Sequence, residues 1–130
     1  MNDDITNELL ALNQRLLDAI VSGNWKTYVE LCDASLTAFE PEASGQMVSG
    51  LAFHKFYFDL ARAPGSRQAT MASPQVRILG DAAVVSYVRL DQKVDAGGAP
   101  VTVAVEETRI WQKKGGKWLH VHFHRSRVCG

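Results

Sequence analysis

The feature that most constrains this chain is a change of period near residue 67. Before it, apolar residues recur at helical spacing; after it, they alternate. Ile5, Leu9, Leu12, Leu16 and Ile20 lie four and three residues apart, one apolar stripe widened by Leu10, Leu17 and Val21. This spacing predicts a first helix, capped by Asn2 or Asp3 and stopped at Gly23. Asn24 can cap a second, shorter helix carrying Trp25, Tyr28 and Leu31. From Arg67 onward four period-two segments follow, about 67–79, 82–95, 99–113 and 117–127. Gly80-Asp81, Ala96-Gly97-Gly98-Ala99 and Lys114-Gly115-Gly116 are the turns between them. Between the two regimes come a short strand at 36–40, a turn and short strand over 42–50, and an aromatic helix at 51–62. Ala63-Pro64-Gly65-Ser66 breaks that helix. Helices first and a long meander second make an α+β plan. N-terminal helices should pack on a curved antiparallel sheet that closes over them as a cone with a pocket inside.

At 130 residues the chain holds one domain, 1–130. No apolar run can span a bilayer, and the acidic start at Asp3 and Asp4 does not read as a secretory signal. Cys32 and Cys129 stand far apart with no CxxC spacing, so a reducing cytoplasm is the expected setting. Fourteen basic and fourteen acidic residues balance, which argues against a nucleic-acid binder. The balance conceals an asymmetry. Residues 1–42 carry eight acids and two bases, and the remainder six acids and twelve bases. Halves of opposite sign can attract one another within a subunit or between subunits.

Strand phase gathers the candidate chemistry. Ala83, Val85, Tyr87 and Arg89 share one face, as do Val101, Val103, Val105, Glu107, Arg109 and Trp111, and then Leu119, Val121, Phe123 and Arg125. If these faces point inward, Arg89, Arg109 and Arg125 converge in the cone. Arginine stays charged when buried, so such a cluster needs anions; Glu107 can satisfy one, and a small carboxylate or phosphate the rest. The competing reading leaves each arginine at a solvated strand end. His120, His122 and His124 alternate on the face opposite Arg125, with Trp118 beside them. Outer histidines on one strand are about 13 Å apart, too far to close a tetrahedral metal site alone, so neither metal nor cofactor is expected. A subunit contact at Trp118, His120 and His122 is the expectation instead. His54 and Tyr28 are pocket candidates on the helices. No nucleophile elbow, phosphate loop or dinucleotide fingerprint is present, and nothing resembles a kinase catalytic core.

Four segments carry a resemblance. They are 36–43 (Leu-Thr-Ala-Phe-Glu-Pro-Glu-Ala), 53–58 (Phe-His-Lys-Phe-Tyr-Phe), 106–111 (Glu-Glu-Thr-Arg-Ile-Trp) and 116–126 (Gly-Lys-Trp-Leu-His-Val-His-Phe-His-Arg-Ser). In order and spacing they resemble the association, or hub, domain of calcium/calmodulin-dependent protein kinase II, within the wider nuclear transport factor 2-like superfamily. The resemblance implies a cone-shaped fold and a homo-oligomeric ring of dimers with twelve or fourteen subunits. It also implies a pocket for small carboxylates such as γ-hydroxybutyrate analogues. That pocket is lined by three arginines matching Arg89, Arg109 and Arg125, with Tyr28 and His54 alongside. The chain begins at the hub's first helix, so any kinase is expected as a separate partner. Arg62 departs from the pattern, standing where vertebrate hubs carry a pocket-flanking tryptophan. The expected function is therefore a non-enzymatic oligomerisation domain with an anion pocket. The rival is a small enzyme of the same superfold, an isomerase, dehydratase or cyclase acting on an acidic metabolite.

Overall fold

The computed structural model describes residues 2–62 and 65–127. The side chain of Asn2, the Ala63-Pro64 break and Cys129 lie outside them. The first helix, α1 (Asn2–Ser22), presents Leu9, Leu16 and Leu17 to the interior with no exposed surface. It ends as Gly23 predicts. The glycine takes a φ of 71°, the Asn24 N–H donates to the Ala19 carbonyl at 2.8 Å, and the Gly23 N–H to Ile20. These are the two bonds that close a helix through a left-handed residue. Asn24 then caps α2 (Trp25–Leu31), its side-chain oxygen accepting from the Thr27 N–H at 3.1 Å. Such a cap contributes about 1 kcal/mol.

Strand β1 (Cys32–Phe39) begins four residues earlier than its sequence suggests, because α2 runs directly into it. A 3₁₀ turn (Pro41–Ala43), β2 (Val48–Ser49) and α3 (Ala52–Phe58) follow. Helix α3 stops well short of residue 62; the Asp59 N–H closes it on the Lys55 carbonyl. Strands β3 (Arg67–Leu79), β4 (Ala82–Val94), β5 (Pro100–Lys114) and β6 (Lys117–Arg127) form the expected antiparallel meander. The whole sheet has the order β2-β1-β6-β5-β4-β3. Strand β1 lies parallel to β6, so the sheet is mixed and the meander is its antiparallel part.

Two irregularities within the meander bend this sheet. Between β3 and β4, Ser73 and Pro74 together oppose the single Tyr87, and Ser73 takes a φ of 51°. Between β5 and β6, Ile110 pairs with His122 and Trp111 with His120, so Val121 is an extra residue. Each bulge increases the local twist and kinks the strand. The sheet curls around α1 and α2, and the core fills from Leu9, Leu16, Leu36, Val85, Trp111 and Phe123.

The second bulge corrects the strand phase read from β6. An extra residue moves every side chain before it to the other face. Trp118 is 4% exposed and His120 fully buried, both on the inner face, while Leu119 and Val121 are turned outward and half-buried. Neither Trp118 nor His120 offers the surface that a subunit contact requires. His122 and His124, beyond the bulge, face outward as expected. On β5 the inward phase holds from Val105 to Trp111, but Val103 is 41% exposed. No helix of the described residues is long and apolar enough to cross a membrane.

Candidate functional site

The inner face of the meander ends in a polar cluster. Tyr87, Arg89, Glu107 and Arg109 are all buried, contributed by the inward phase of β4 and β5. Cross-strand register sets Tyr87 directly opposite Glu107. The Tyr87 hydroxyl donates to Glu107 Oε1 at 2.5 Å, Arg89 Nη1 donates to Oε2 at 2.8 Å, and Arg109 Nη2 to Oε2 at 3.1 Å. Burial alone would push the Glu107 carboxyl up. The Arg109 and Arg89 guanidiniums outweigh it and hold the group below its ordinary value. Burial likewise opposes the charge on Arg109, but Glu107 more than restores it. The Tyr87 hydroxyl, by contrast, is pushed up to about 12, chiefly by burial.

Arg125, on β6, is reached from the other edge. Its Nη2 donates to Glu40 Oε2 at 3.4 Å and to Glu42, two residues that follow β1. Pro41 starts the 3₁₀ turn that places both carboxylates against β6. Glu40 also engages α3: His54 Nε2 lies 2.7 Å from Glu40 Oε1, with both side chains more than nine-tenths buried. His54 Nδ1 has no partner among the described residues. Tyr28, from α2, lies with its ring 6.0 Å from that of His54; burial above all raises its hydroxyl well above the usual value.

Of these groups, Tyr28, Glu40, Glu42, His54 and the three arginines line one cavity of about 370 Å³. The structure thus brings together Arg89, Arg109, Arg125, Tyr28 and His54, with Glu107 behind them bridging two arginines. It does not leave those arginines unmatched. Glu107 binds both Arg89 and Arg109, Asp91 binds Arg89 at 3.0 Å, and Glu40 and Glu42 bind Arg125. Sequence reasoning did not assign Glu40, Glu42 or Asp91 to the site. The alternating Glu-Pro-Glu at 40–42 was the available signal, because a proline flanked by acids at a strand end fixes where both carboxylates point.

His120 has a different role from the one expected. Its Nδ1 is 3.4 Å from Cys32 Sγ and its Nε2 3.4 Å from Arg109 Nη1. Burial, and after it Arg109, drives its pKa well below 6.5. Burial also pushes the Cys32 thiol up to about 12, against the pull of Arg109. The thiol is therefore a packed neutral group and not an activated nucleophile. His122 lies on the outer face with Nδ1 2.7 Å from Thr37 Oγ1.

A bent sheet wrapped around a helical hairpin, with a polar cavity between them, is the fold of nuclear transport factor 2-like proteins. A superfamily protein of that name from Salmonella enterica matches with a TM-score of 0.80 over 100% of this chain and 95% of its own, at 20% identity. Closer likeness narrows the class. Residues 5–129 match the family described as calcium/calmodulin dependent protein kinase II association domain, and the chain belongs to that family. The delta subunit of calcium/calmodulin-dependent protein kinase type II from Oryctolagus cuniculus is 43% identical over 122 residues, 92% of this chain. The chain spans only 23% of that relative's length. The structure of the hub homology domain from Chlamydomonas reinhardtii is 56% identical, with a TM-score of 0.91 over 96% of this chain and 99% of its own.

Proposed function

We propose that this chain is an oligomerisation domain that assembles with copies of itself into a ring of dimers, twelve or fourteen subunits in all, and takes a small carboxylate or other anion into its arginine-lined cavity. The observation that carries the reading is the outer face of the sheet. The helices pack on the inner face. On the outer face Val84 pairs with Ile110, Ile110 with His122, and His122 with Thr37, all half-buried. Leu119 and Val121 extend this surface, and Phe39 is 40% exposed beside it. Aliphatic and aromatic residues on a sheet face suit a symmetric contact in which each copy covers the other. In this reading His122 belongs to the contact and Trp118 and His120 do not.

The cavity supports the second half of the reading. Arg125 uses one terminal nitrogen on Glu40 and Glu42, and its remaining donors are available to a ligand carboxylate. One observation favours the enzyme reading instead: Glu40 orients His54 by a 2.7 Å contact, and the opposite ring nitrogen has no protein partner among the described residues. That is the arrangement of a carboxylate-oriented acid-base histidine. Native mass spectrometry separates the two. A species of about twelve or fourteen subunits that releases a small acid on activation supports the ring. A monomer or simple dimer removes it and moves the His54 chemistry forward.

A further inference from the structure

The cations at the mouth of the cavity differ from those inside it. Within, Arg89, Arg109 and Arg125 face three carboxylates, from Glu107, Glu40 and Glu42. The inner group is therefore balanced within the protein. Outward, the cavity adjoins a smaller space of about 150 Å³ that shares Arg62, Arg67 and Arg89 with it and adds Lys93. Among the described residues, Arg62, Arg67 and Lys93 form no ion pair, and the carboxylate bordering that space, Asp91, is taken by Arg89.

Two details point to a ligand here. Arg62 is positioned: its Nη1 donates to the Ile20 carbonyl at 3.2 Å and its Nη2 to the Tyr57 carbonyl at 3.0 Å. Both acceptors are neutral, so the charge is held in place without being neutralised. Arg89 lines both spaces, its side chain is 9% exposed, and its Nε is buried with no partner. A buried guanidinium donor left unpaired is costly, and an anionic oxygen is its natural acceptor.

We propose that this cavity has a second anion subsite at its mouth, built by Arg62 and Arg67 and bordered by Arg89, so that its ligand is a small acid with two anionic groups. This rests on the carboxylate-pocket reading above and sharpens it: one group enters toward Arg109 and Arg125, and the second stays at the mouth. A dicarboxylate and a phosphorylated carboxylate share this chemistry.

Isothermal titration of the assembled protein with glutarate and with valerate tests it, since both have five carbons and differ in one carboxylate. Glutarate is expected to bind on the order of tenfold tighter than valerate. Arg67→Gln, an exposed change at the start of β3, should bring glutarate down to the level of valerate while valerate is unaffected. Arg67→Lys should keep part of the difference. Arg62→Gln should act in the same direction, and Arg67→Gln keeps the test decisive if loss of the Arg62 bonds unsettles the fold. Equal binding of the two acids to the parent protein, or equal weakening of both by Arg67→Gln, overturns the second subsite and leaves a single-anion pocket. Binding of neither acid overturns the pocket itself and this inference with it. Phosphoenolpyruvate or 3-phosphoglycerate in place of glutarate then distinguishes a phosphate from a carboxylate at the mouth.

Discussion

Replacing Glu107 by Gln should be among the most damaging isosteric changes this chain can suffer. The shape is nearly unchanged, but an anion is lost between two buried cations. Glu107 has no exposed side-chain surface; it accepts from Tyr87, from Arg89 and twice from Arg109. After the change Arg89 keeps Asp91. Arg109, 1% exposed, is left with neutral partners alone: the Tyr87 hydroxyl, His120, the Phe123 ring 4.3 Å away and the amide oxygen of the new glutamine. Removing one member of a buried ion pair costs about 3–5 kcal/mol, because the other charge stays buried and uncompensated. Whole domains are stable by only about 5–15 kcal/mol. At about 4 °C per kcal/mol for a domain of this size, the melting temperature should fall by about 12–20 °C. Urea unfolding followed by tryptophan fluorescence, at fixed protomer concentration, measures the loss directly. The double variant Glu107→Gln/Arg109→Met separates charge from shape. It removes the stranded cation as well, so it should be more stable than Glu107→Gln alone. If Glu107→Gln is within about 0.5 kcal/mol of the parent, or the double variant is no better than the single, Glu107 is not what compensates the arginines.

Two further outcomes follow from other parts of the core. His120 has a pKa depressed well below 6.5, so the unfolded chain binds a proton that the folded chain refuses as pH falls through that value. Its contribution to stability is present above pH 6.5 and is lost at up to about 1.4 kcal/mol per pH unit below it, until the folded pKa is reached. Melting temperatures from pH 8 to pH 5.5 should fall less steeply in His120→Gln than in the parent, and parallel curves would refute the assignment. Asn13, fully buried on α1, accepts from the Trp111 indole N–H at 3.0 Å. Asn13→Leu fills the space but strands that donor, so equilibrium unfolding should show a loss of about 1–3 kcal/mol; an unchanged or higher stability would mean that the indole finds another acceptor.

What the sequence made legible, and what it hid, divides along one physical line. Patterns that depend on the local period could be read. The stripe from Ile5 to Ile20, the Gly23 stop and the inward phase of Arg89, Glu107 and Arg109 all express a repeat of 3.6 or 2 carried by the residues themselves. Departures from the period could not. Val121 is a β-branched residue in a strand of alternating character, and nothing local marks it as the one that has no partner. That single insertion decides whether His120 meets a neighbouring subunit or Arg109 and Cys32. Glu40 and Glu42 were hidden for a different reason: their partners, Arg125 and His54, lie on other elements, and only the parallel pairing of β1 with β6 brings them together. The same pairing changes what the arginine count demands. Three arginines in one cone imply an external anion only if the carboxylates of the first 42 residues stay outside it. Two of those carboxylates are in the wall. The charge asymmetry between the halves of the chain is therefore partly cancelled within one subunit, while Arg62 and Arg67, on the same cavity, have no ion-pair partner among the described residues.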